Sequence, residues 1–120
     1  MTFLDIVMVG IGGFFGAVIR FGMAKKMNRS PDIPAGTLAV NWIGGLLIGL
    51  VFVLELSKGW TLLLASGLAG ALTTFSTLNK ELIELWRNGE KKNAVSYLLL
   101  TYGGGLLLAA IGYVIAWCLI

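Results

Sequence analysis

The sequence predicts an all-α integral membrane protein of four spanning helices, on three observations. Of its 120 residues, 58% are hydrophobic and only 12% charged, whereas a soluble domain carries about a quarter charged residues. The mean hydropathy is +0.89. The apolar residues also gather into four stretches, each near the ~20 residues a helix needs to cross the hydrocarbon core. Backbone groups in lipid must be satisfied within the segment, which selects helices, because a closed barrel would need shorter, alternating strands. Four such spans take up about two-thirds of the chain and leave room for a single membrane domain over residues 1–120.

The first span is expected from about Phe3 to Ala24. Its flank carries Asp5 rather than a basic run, and Arg20 stands where a small-residue cleavage site would fall, so it reads as a retained span and not a signal peptide. The loop Lys25 to Ala35 follows, with Pro31 and Pro34 as breakers. The second span is expected over Gly36 to Leu56, and Ser57-Lys58-Gly59 turns into a third from Trp60. After Leu72 the third span enters the polar run Thr73-Thr74-Phe75-Ser76-Thr77. It continues as an amphipathic helix through Leu82, Leu85 and Trp86, to end at Asn88-Gly89. The fourth runs from Ala94 to Trp117. Gly12 with Gly16 and Gly45 with Gly49 form GxxxG pairs, and Gly103-Gly104-Gly105 interrupts the fourth span. Small residues at this spacing let membrane helices approach closely, so packing is the reading for these glycines.

Charge sets the orientation. The loops after spans one and three hold Lys25, Lys26, Arg29, Arg87, Lys91 and Lys92, and Arg20 and Lys80 lie near span ends on the same face. The opposite face, with both termini, holds only Lys58. By the positive-inside rule the basic loops are cytoplasmic and the termini external. The net charge of +3 therefore follows membrane topology and does not signal nucleic-acid binding. With no histidine and a single cysteine, Cys118, the chain cannot build a disulfide framework, a zinc cluster or a Cys–His nucleophile by itself.

Against such apolar spans the polar residues stand out, because each must find a partner or line a wet path. They are Asn41 in the second span, the Thr73–Thr77 run in the third, and Tyr97 and Thr101 in the fourth. Tyr97, Thr101 and Gly105 are four apart and share one helix face. That stripe either carries an ion or back-bonds to carbonyls one turn earlier. Four hydroxyl residues in the five positions 73–77 make a poor helix interior. A break there would free carbonyls that suit a cation, provided the irregular backbone is buried in protein or lines a cavity. The alternative is a continuous, hydroxylated helix. No acidic residue lies in mid-span, since Asp5, Glu55, Glu81 and Glu84 are near ends. A proton-coupled exporter needs an intramembrane carboxylate, so its absence argues for passive permeation.

Three segments, GGFFGAVIR at 12–20, GTLAVNWIGGLLIG at 36–49 and GLAGALTTFSTLNKE at 67–81, give the sequence a family resemblance over essentially its whole length. In this order on successive spans they resemble the Fluc (CrcB) family of small bacterial fluoride channels. The resemblance implies an antiparallel dimer of four-span subunits in the bacterial inner membrane, with fluoride pathways along the interface. Phe75 resembles the family's first pore phenylalanine, whose positive ring edge would face the anion. Asn41 resembles the amide donor beside the pore, Ser76 and Thr77 complete the hydroxyl-rich segment, and Tyr97 and Thr101 resemble the fourth-span polar track. Gly70 and Thr73 resemble residues whose backbone carbonyls hold a central, non-transported sodium ion. Arg20 matches a first-span arginine near the cytoplasmic vestibule, and Glu81 an acid just past the break. Two positions depart from the pattern: Leu78 where a second phenylalanine is usual, and Gly105 where a further hydroxyl is expected.

A homodimer inserted in both orientations needs a balanced lysine and arginine distribution, and this one stands eight to one. The expectation is therefore a fixed-orientation subunit paired with an oppositely inserted paralogue. Two alternatives stand beside the channel subunit. One is an accessory subunit with a weakened pathway of its own. The other is a small four-span drug-efflux transporter, which would need a glutamate within the first span, where none lies between Asp5 and Arg20. No nucleophile–base pair suggests an enzyme.

Overall fold

A computed structural model describes residues 2–28 and 33–120, so Arg29 and Pro31 of the first basic loop lie outside the described residues. Every regular element among them is helical, and four helices are long and apolar enough to cross a membrane: Phe3–Met27, Ala35–Leu54, Lys58–Arg87 and Lys91–Leu119. The first, second and fourth spans are the continuous helices α1 (Phe3–Met27), α2 (Ala35–Leu54) and α6 (Lys91–Leu119). The third is composite. A turn of α-helix, α3 (Lys58–Thr61), opens into a wider π-helical stretch over Leu62–Ala69 and closes with α4 (Gly70–Leu72). The chain then leaves helical geometry before α5 (Ser76–Arg87).

The ends follow from local chemistry. Thr2 and Asp5 form a reciprocal capping box at the start of α1, and Asp5 also pairs with Lys58 at 2.9 Å, tying the first and third spans together at one end. Glu55, in the left-handed region with φ 50°, closes α2. At the end of α5, Gly89 adopts φ 81°, which only glycine takes without steric cost. Its N–H donates to the Trp86 carbonyl at 3.3 Å and that of Glu90 to the Leu85 carbonyl at 2.9 Å, a Schellman closure at the Asn88-Gly89 stop read from sequence.

Two helix pairs dominate the packing. The first span lies against the opening half of the third, and the second against the fourth. Both contacts run over glycine. A Cβ at Gly12 would overlap the Leu63 carbonyl and one at Gly16 the Leu68 carbonyl, while Gly67 faces back to Val9. A Cβ at Gly49 would overlap the Ala109 carbonyl, and one at Gly45 would come within 2.9 Å of the Gly105 carbonyl. These backbone-to-backbone approaches replace the hydrophobic driving force that apolar side chains lack in lipid. α5 packs on the start of α6, burying Leu78, Leu85, Ala94 and Tyr97 as one cluster.

Candidate functional site at the break in the third span

The helical ladder of the third span stops at Thr73. Its N–H donates to the Ala69 carbonyl at 3.1 Å, and its hydroxyl donates to the same oxygen at 3.0 Å. Its backbone then turns extended, with ψ 153°. A continuous helix would next send the Thr74 N–H to the Gly70 carbonyl. Instead that N–H donates to Asn41 Oδ1 at 2.9 Å, and Asn41 Nδ2 makes a longer contact, 3.5 Å, with the Thr74 carbonyl. One amide side chain thus serves both backbone groups of the residue at the break, as irregular backbone at membrane depth requires. The helix resumes at Ser76, with Phe75 as its N-cap, and the Thr74 hydroxyl accepts from the Thr77 N–H of the first turn at 3.3 Å. The break is sterically permitted because Gly44 faces it, and a Cβ there would overlap the Thr73 methyl.

Beside the break lies an open recess of about 290 Å³, lined by Asn41, Thr73, Thr74, Phe75, Leu78, Thr101, Tyr102, Gly105 and Leu106. It joins the second, third and fourth spans. Of the candidates read from sequence, Asn41, Thr73, Phe75 and Thr101 meet here. Phe75 is 66% exposed on the lip of the recess, a large apolar residue left uncovered by its own chain. Leu78 and Gly105, the two departures from the family pattern, line the same recess. Leu78 is nevertheless only 3% exposed, held in the cluster with Leu85, Ala94 and Tyr97. Tyr102 is a lining residue that sequence reasoning missed. It lies outside the four-residue stripe, and only its neighbour Thr101 hinted at that depth.

The other candidates lie elsewhere. Tyr97 is fully buried, at 0% exposure, and its hydroxyl donates to Glu81 Oε1 at 3.4 Å. Thr101, one turn along, donates its hydroxyl to the Tyr97 carbonyl at 2.7 Å, so the back-bonding reading of the stripe describes Thr101 in this structure. Glu81 sits beside the start of α2. There Asn28 Oδ1 accepts from the N–H groups of Gly36 at 2.6 Å and Thr37 at 3.2 Å, while Asn28 Nδ2 reaches Thr37 Oγ1 at 3.1 Å and Glu81 Oε2 at 3.5 Å. Asn28, also missed, therefore caps the second span and links it to the third at the basic-loop end. Arg20 lies partly exposed on α1, away from the recess lining. Ser76 and Thr77 are exposed at the restart of the helix, and Gly70 is exposed before the break.

Fold and site together define a small multi-pass membrane protein whose broken third helix borders an open intramembrane recess. A family model described as CrcB-like protein, Camphor Resistance (CrcB), matches residues 7–113, and the chain belongs to that family. It is 38% identical to the fluoride-specific ion channel FluC 2 of Lactobacillus johnsonii, over 92% of this chain and 94% of that protein. It is 37% identical to the fluoride-specific ion channel FluC of Serratia proteamaculans, over 92% of each. It is 40% identical to the fluoride-specific ion channel FluC 1 of Geobacillus kaustophilus, over 89% of this chain and 93% of that one.

Proposed function

We propose that this chain is a subunit of a fluoride-specific ion channel that lets fluoride leave the cytoplasm passively and so lowers its toxicity. The observation that carries the reading is the recess at the break, where Asn41, Phe75 and Thr101 come from three different spans to one depth. Such a lining offers a small anion an aromatic edge, an amide and a hydroxyl in place of its hydration shell. Asn41 Nδ2 keeps one hydrogen beyond its contact with Thr74, and Thr101 can rotate its proton from the Tyr97 carbonyl towards the recess. Tyr97 and Glu81, hydrogen-bonded to each other with the tyrosine fully buried, would join the path at the cytoplasmic end once the tyrosine turns its hydroxyl from the carboxylate. Arg20 would draw anions to that end, and Ser76 and Thr77 would meet the ion from the exposed side. An interior-negative membrane favours exit of one negative charge by ~2.3 kcal/mol per 100 mV, so no coupling ion or enzymatic step is needed.

The recess is open and Phe75 uncovered, which fits a second subunit closing the pathway in an antiparallel dimer. The charge bias favours an oppositely inserted paralogue as that partner, with the chain in a bacterial inner membrane and both termini outside. A structural sodium ion suits the break. Thr74 gives its N–H to Asn41, leaving the Gly70 carbonyl without its helical donor, and carbonyl oxygens are ligands for hard cations. Gly70 and Thr73 would hold it, and the ion would neutralise carbonyl dipoles at the centre of the assembly.

Fluoride release from reconstituted vesicles, with chloride as control, tests the function. Fluoride-selective release is expected, and it should fall sharply in Phe75→Ile. Equal release of both anions overturns the channel reading. One observation favours a second reading, an accessory subunit supporting a pore formed mainly by its partner: Leu78 and Gly105 line this recess where the family pattern has a second phenylalanine and a further hydroxyl. Release only on co-reconstitution with the paralogue, insensitive to Phe75→Ile, would decide for it.

A further inference from the structure

The glycine run of the fourth span has a use that the proposed pathway does not absorb. A Cβ at Gly103 or Gly105 would meet nothing within 4 Å, whereas one at Gly104 would overlap the indole ring of Trp42. That indole donates its Nε1–H to the Leu100 carbonyl at 2.9 Å, one helical turn before Gly104. A carbonyl has two lone pairs, so Leu100 can accept from Trp42 and still serve its own helix. An indole N–H at membrane depth needs such a partner, and the missing side chain of Gly104 is what brings the ring within reach.

Trp42 follows Asn41 directly in α2. Asn41 holds the third span by its backbone at Thr74, and Trp42 holds the fourth by its backbone at Leu100. Two consecutive residues of one helix therefore fix both walls of the recess, because Thr101 and Gly105 follow the clamped residues Leu100 and Gly104 by one position each. We infer that Trp42 is a positioning residue. Its indole clamps the fourth span against the second at the depth of the break and sets how wide the recess is. The consequence for anion selectivity rests on the channel reading; the clamp itself does not.

Two measurements on the reconstituted full chain test this. In spectra of protein labelled with ¹⁵N at the indoles, Trp42 should exchange its Nε1–H with deuterium about tenfold more slowly than the exposed Trp86, as one maintained hydrogen bond allows. Gly104→Ala should abolish that protection, and Gly103→Ala should keep it. In vesicles, Trp42→Phe keeps a ring but loses the donor, and the fluoride-to-chloride release ratio should fall about tenfold on loss of a bond of this strength. A merely structural role would lower both anions together and leave the ratio unchanged, and that result overturns the proposal. So does exchange at Trp42 as fast as at Trp86. If the unaltered protein releases neither anion, the channel reading fails, and the clamp then stands or falls on the indole exchange alone.

Discussion

Asn41 and Thr74 meet across two spans with the side-chain amide of one serving the backbone of the other. The Thr74 N–H lies 2.9 Å from Asn41 Oδ1, and Asn41 Nδ2 lies 3.5 Å from the Thr74 carbonyl. The pair explains how a helix can be interrupted in lipid without leaving both of that residue's polar groups stranded. It also predicts that Asn41 matters to stability as well as to any ion. Asn41→Leu keeps the bulk and leaves both groups unpaired, at a cost of about 1–3 kcal/mol each. A lower thermal midpoint in detergent, with loss of fluoride release, is expected. An unchanged midpoint would mean that water or lipid headgroups serve the break instead.

Glycine substitutions should divide by contact and not by position in a motif. Gly44→Ala drives a methyl group into Thr73 and should destabilise the fold by about 1–3 kcal/mol, the usual cost of overpacking. Gly103→Ala enters open space and should be neutral, or stabilising by up to ~1 kcal/mol through helix propensity. Thermal melts of the two variants, side by side with the unaltered chain, give the comparison.

Gly105 offers room for a gain of function. Nothing lies within 4 Å of a Cβ placed there, and the residue lines the recess. Gly105→Ser should therefore add a hydroxyl to the path without loss of stability and raise the fluoride release rate severalfold, by the ~1 kcal/mol that one hydrogen bond supplies. Leu78→Phe is the harsher change. Leu78 is buried in the Leu85–Ala94–Tyr97 cluster, so a larger ring should lower the thermal midpoint even if it adds an aromatic edge.

Orientation has its own test. Lysine and arginine stand eight to one in favour of the basic-loop face, and Lys58 on the other face is paired with Asp5 at 2.9 Å. A C-terminal alkaline phosphatase fusion should be active and the matching green fluorescent protein fusion dark. Equal signals from both would show dual insertion and remove the case for a paralogous partner.

The four helices and the Asn88-Gly89 stop were legible in the residues themselves. They depend on properties read along the chain: apolar length and the positive φ that Gly89 supplies. The run Thr73–Thr77 marked the break because hydroxyl residues are poor helix interior, a local property as well. Family membership was legible through three motifs in order, and the match to residues 7–113 bears it out.

Which groups face each other was settled by the packing of the helices. Nothing local says that Asn41 satisfies Thr74, that Thr101 turns its proton to the Tyr97 carbonyl, or that Tyr97 is buried in a cluster with Leu78 rather than set in the recess lining. Nor could the sequence separate Gly104, which lies under Trp42, from the glycines on either side. Hydrogen bonds and steric contacts between spans depend on the rotation and depth of each helix against its neighbour, and those are set by packing after the helices form. Four membrane helices, one of them broken, follow from the order of the residues. The packing of those helices decided that the break opens onto a recess and which side chains hold it there.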